Sequence, residues 1–159
     1  MSLGGLLFLV FTATFVARMR ASREGFTDEA SALLLLGSGV LVTGMLALAG
    51  LSITLADVSG HVSGAALQTL NVFANDAVFV FLLTIGTSVF LIGAAIAVFV
   101  APLLPRWLGW FAIVLAVVGA IPSHVLGGTL DHIGFVAFAG LCLWTLVLCG
   151  LLALRPGES

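Results

Sequence analysis

His61, His124 and His132, with Asp57, Asp76 and Asp131, are the residues of this chain whose chemistry reaches beyond packing. Imidazole and carboxylate ligate zinc, copper or iron. In a membrane protein the same groups relay protons. No recognised ligand spacing joins them. Asp131 and His132 are neighbours, so their side chains diverge on a helix, and the interval from His124 to His132 belongs to no known motif. The default reading is therefore a set of polar residues at a membrane interface. The alternative is a metal or haem site drawn from His61, His124, His132 and Asp131, with His124 the fair candidate for an axial haem ligand. A second set is Thr84, Thr87 and Ser88, spaced i, i+3, i+4, with Asp76 at the start of the same segment. That spacing puts the three hydroxyls on one helix face, as a transport path would need. Hydroxyls on apolar helices more often bond back to their own backbone or across to a neighbour. Asp76, after Asn75, reads as a helix cap at the positive end of the dipole. The chain has no phosphate loop, nucleophile elbow, HExxH or CxxC. Ser123 beside His124 is an adjacency and not a catalytic geometry. No catalytic residue is assigned.

The elements that would position these residues follow from composition. Of 159 residues, 62% are hydrophobic and 8% charged, whereas a soluble domain carries about 25% charged residues. So much apolar surface needs lipid as its solvent. With a net charge of −2 and five basic residues, all arginine, there is no basic patch for nucleic acid. Cys142 and Cys149 lie seven apart in one apolar run, about 10 Å along a helix. That is too far for a mutual disulfide. Both read as small buried apolar residues.

The apolar runs define an all-α, single-domain membrane bundle over residues 1–159. Five spans are expected, at about 3–19, 31–56, 77–101, 107–124 and 133–154. A four-span version omits the first. That run, Leu3 to Ala17 before Arg18 and Arg20, reaches only about 22 Å against a hydrocarbon core near 30 Å. It looks clipped, with a beginning expected further upstream. Thr27 before Asp28 and Glu29 marks a helix start. Within the second span, Gly39 with Thr43, and Thr43 with Ala47, form small-xxx-small pairs that let helix backbones approach. Residues 57–76 form an outer loop. In it Ala65, Ala66, Leu67, Leu70 and Phe73 mark either a short surface helix or an extension of the next span. A second outer loop covers 125–132.

Arginine placement orients the bundle. The connector at 20–30 adjoins Arg18 and contains Arg20 and Arg23, the turn at 102–106 ends on Arg106, and Arg155 follows the last span. All fall on one side of five alternating spans. The positive-inside rule makes that side cytoplasmic, with the N-terminus outside and the C-terminus inside. Trp107 and Trp110 flank Arg106 as interfacial anchors. The three histidines then collect on the outer side.

The turn Leu104-Pro105-Arg106-Trp107-Leu108-Gly109-Trp110 resembles one found in bacterial, often actinobacterial, polytopic membrane proteins of unknown function. Ala66-Leu67-Gln68-Thr69-Leu70-Asn71 and the closing Leu143-Trp144-Thr145-Leu146-Val147-Leu148 are similar too. The resemblance implies a multi-pass protein of the inner (plasma) membrane, and it supplies no activity or site residues. The expected function is that of a structural or accessory subunit, with the lipid bilayer and other membrane proteins or copies of itself as partners and no cofactor. The alternatives are a small oligomeric transporter or channel, and a metal- or haem-bearing protein.

Overall fold

The computed structural model describes residues 3–21, 27–58, 63–73, 82–100, 104–121 and 133–154. These residues form helices α1 (Leu3–Ala21), α2 (Asp28–Val58), α3 (Gly64–Val72), α4 (Thr84–Val100), α5 (Arg106–Ala120) and α6 (Ile133–Leu154), with no strand among them.

Local chemistry sets the helix ends. The Ala30 N–H donates to Thr27 Oγ1 at 3.3 Å, capping α2 as the sequence predicts. Glu29, in that first turn, accepts a backbone N–H and the Thr27 hydroxyl. Ser63 accepts the Ala66 N–H at 3.4 Å and opens α3 as a separate short helix. Pro105, extended at φ −69° and ψ 131°, launches α5. The other end of α5 departs from expectation. The helix stops at Ala120, short of residue 124, and Ile121 is extended at φ −75° and ψ 116°. Ile121 precedes Pro122, and the proline ring pushes its predecessor out of the helical region.

Helix α1 also differs from its expected extent. It continues through both arginines to Ala21, giving 19 residues and about 28 Å. The arginines can lie in the last turn because each finds an acceptor. Arg18 Nη1 donates to the Leu152 carbonyl at 3.2 Å. Arg20 Nε donates to Ser31 Oγ at 3.2 Å, and its Nη2 meets Asp28 Oδ1 at 3.4 Å. Helix α2 has 31 residues, about 46 Å, which matches a bilayer of about 40–45 Å with its headgroups. Among the described residues, Leu3–Ala21, Asp28–Val58 and Val136–Leu154 are long and apolar enough to cross a membrane. Helices α4 and α5 are apolar but shorter, at 17 and 15 residues.

Helix α4 is the centre of the bundle, packed against α2, α5 and α6. Phe90, Leu91, Ala94, Ala97 and Val98 are all buried in it. Its approach to α2 is made through glycine on both sides. Gly37 and Gly44 of α2 lie against Phe90 and Leu82, and Gly86 and Gly93 lie against Leu41 and Leu33–Leu34. A Cβ on Gly86 would stand 2.8 Å from the Leu41 nitrogen, so only glycine permits this separation. The register descends on α2 as it rises on α4, so the pair is antiparallel. Ser88 with Ala116 and Phe99 with Gly109 show the same sense for α4–α5, and Trp144 with Leu108 and Gly140 with Leu115 show it for α5–α6. Consequently the C-terminal end of α1 and the N-terminal ends of α2 and α5 share one end of the bundle. Arg18, Arg20 and Arg106 lie there, and Asp57 lies at the opposite end.

Candidate functional site

The best-built polar features are inside the helix packing. Trp144 is fully buried near the middle of α6. Its Nε1–H donates to the Leu108 carbonyl of α5 at 3.0 Å. Phe15 and Phe90 meet its ring edge-on, with centroids at 6.5 and 6.3 Å. One side chain thereby joins α1, α4, α5 and α6. In the sequence Trp144 stands out only as part of the closing Leu143–Leu148 run. The missed signal was chemical: an indole N–H held in mid-span must find an acceptor, and only a neighbouring helix backbone can provide one.

The hydroxyl stripe is absorbed by the same packing. Ser88 donates to the Ala116 carbonyl across the α4–α5 interface at 3.0 Å. Thr87 is buried and Thr84 half-buried. Thr12, fully buried on α1, donates to its own helix at Phe8 O, 2.9 Å away. Among the described residues no buried side-chain polar atom lacks a hydrogen-bond partner, so this interior is closed around its polar groups.

His61, His124, His132, Asp76 and Asp131 lie outside the described residues. The described residues contain no group of three His, Cys, Asp or Glu side chains able to hold a metal ion. At the arginine end, Arg106 is exposed, and Trp107 and Trp110 are 55% and 63% exposed. The Trp110 ring meets Phe99 edge-on at 5.5 Å. An outward indole anchored at its base suits a membrane–water boundary.

Two expectations need correction. Cys142 and Cys149 are exposed and unpaired, not buried. Trp144 takes the inward side of α6, so residues on the opposite side, including these cysteines, turn away from the core. The close-packing surface of α2 is also not Gly39–Thr43–Ala47. Gly37 and Gly44 make the approach to α4, while a Cβ on Gly39 would meet nothing within 4 Å. Helical periodicity gives α2 two small-residue faces, and α4 occupies only one.

Helices α1 and α6 run parallel and touch only lightly. A cavity of about 370 Å³ separates their N-terminal halves, between Phe8 and Phe138, with Leu41 and Met45 of α2 along its side. A second, of about 310 Å³, separates their C-terminal halves, between Phe15, Arg18 and Leu152. No protein-family model, curated protein or solved structure matches this chain.

Proposed function

We propose that this protein is a multi-pass integral membrane subunit that works by packing against other membrane proteins or further copies of itself. The observation that carries the reading is the division of α2 into two faces. Gly37 and Gly44 are used up by α4, whereas Gly39 is open, with Thr43 exposed and Ala47 half-buried beside it. In lipid, helices associate where small residues let backbones come close. A second such surface on a helix already packed through its first is suited to an external helix. The closed interior supports the same reading, because Ser88 and Thr87 are engaged in packing within one bundle.

The proposed topology has five spans, with the arginine end in the cytoplasm and the N-terminus outside. Arg106 argues for this independently of α5's stability. It occupies the first turn of the helix, where a cation opposes the dipole at a cost of about 0.3–1 kcal/mol. Membrane sidedness accounts for a charge that helix energetics disfavour. Placement in a bacterial plasma membrane rests on the resemblance of the Pro-Arg-Trp-Leu-Gly-Trp turn.

The test is gentle detergent extraction from native membranes, followed by mass spectrometry and elemental analysis. A stoichiometric partner, lost in Gly39→Leu while the bundle stays helical, is expected. A monodisperse monomer without any co-purifying protein contradicts the reading. Flux through reconstituted liposomes would move the function to transport, and bound zinc, copper or iron would move it to the histidines.

A further inference from the structure

The α1/α6 cleft is left unused by a partner docked on α2. Its α1 wall carries Phe8 beside the first cavity and Phe11 beside the second, with ring centroids 6.2 Å apart and Phe15 buried behind them. The hydroxyls on its walls are already engaged: Thr14 donates to Val10 O and Thr145 to Leu141 O, both at 2.8 Å. Among the described residues lining the two cavities the one charge is Arg18, at the mouth on the arginine end. Arg18 Nη1 bonds the Leu152 carbonyl across that mouth. This uses one of five guanidinium donors, and among the described residues no carboxylate pairs with Arg18. From Arg18 to Phe8 is about 15 Å along α1, half of a hydrocarbon core near 30 Å. Two apolar cavities in line along α1, with Arg18 the one charged side chain among the described residues that line them, have the chemistry of an anionic lipid.

We propose that the α1/α6 cleft binds one anionic phospholipid, its phosphate on the Arg18 guanidinium and one acyl chain along Phe11 and Phe8. The planar fork of arginine matches phosphate geometry. A helix is the poorer occupant: it is about 10–12 Å wide, and the Arg18–Leu152 bond ties the two walls together at the mouth. The proposal rests on the membrane-spanning reading and not on the identity of any protein partner.

The experiment uses the full chain in mild detergent, incubated with phosphatidylglycerol or phosphatidylcholine of identical acyl chains, and native mass spectrometry of what is retained. One phosphatidylglycerol per chain is expected, favoured roughly tenfold, as fits a charge-assisted hydrogen bond. Arg18→Gln should abolish the preference, and Arg106→Gln, at the same end but off the cleft, should leave it intact. Cys149→Trp, which fills the second cavity without altering charge, should reduce retention of both lipids and serves as the second variant if Arg18→Gln fails to fold. Equal retention of the two lipids, or an unchanged preference in Arg18→Gln, overturns the proposal. So does a second polypeptide that Cys149→Trp releases. Release of the chain from membranes by alkaline carbonate would instead overturn the membrane reading itself, whereas firm retention with no lipid preference overturns the lipid site alone.

Discussion

Trp144 ties four helices of this fold together. It fills the meeting point of four helices and satisfies its own N–H on Leu108 O. Trp144→Phe keeps most of the ring and loses the hydrogen bond, so a loss of about 1–3 kcal/mol is expected. Trp144→Ala also leaves a cavity and should cost about 3–5 kcal/mol. SDS titration followed by circular dichroism measures both, and equal effects would remove the hydrogen bond from the explanation. Ser88 bonds across one interface only. Ser88→Ala should cost about 0.6 kcal/mol, near the average for an interhelical bond in a bilayer. The same titration checks it, and a loss as large as that of Trp144→Ala would contradict a purely packing role. Neither role was legible from residue type alone. A hydroxyl stripe looks the same in sequence whether it lines a path or a helix seam. The deciding fact, Ala116 O at 3.0 Å from Ser88, belongs to the tertiary fold.

At the scale of elements, glycine position separates packing from exposure. A Cβ on Gly37 would run into the Phe90 backbone, which has no flexible end to move aside. Gly37→Ala should push α2 from α4 and destabilise the bundle by about 1–3 kcal/mol. On Gly39 the same change meets open space. Alanine there should raise helix stability by up to about 1 kcal/mol. Opposite signs for the two variants in one denaturation series are expected, and equal losses would mean that α2 faces α4 differently. The elements themselves were largely readable. The apolar run that ends before Arg155 gave the bounds of α6, and Thr27 gave the start of α2. Where prediction failed, a neighbour had decided. Pro122 truncated α5 through Ile121, and Leu152 and Ser31 let α1 keep its arginines in the last turn. The choice between the two small-residue faces of α2 depended on its register against α4, which no local pattern encodes.

For the whole molecule, the informative property is its polarity from end to end. Antiparallel packing gathers Arg18, Arg20 and Arg106 at one end, and Asp57 closes α2 at the other. Arginine placement in the sequence anticipated this because charge asymmetry survives any rotation of the helices about their axes. His61, His124 and His132, by contrast, lie outside the described residues, and their chemistry depends on convergence that spacing does not reveal. The most direct measurement of the membrane reading uses the two ends of α2. Glu29 and Asp57 are both exposed and about 42 Å apart at 1.5 Å per residue. In a background carrying Cys142→Ala and Cys149→Ala, single Glu29→Cys and Asp57→Cys chains are treated with a membrane-impermeant maleimide in intact cells. Labelling at 57 without permeabilisation, and at 29 only after it, is the predicted result. Labelling of both positions in intact cells, or the reverse order, would contradict an α2 that crosses the membrane with the arginine end inside.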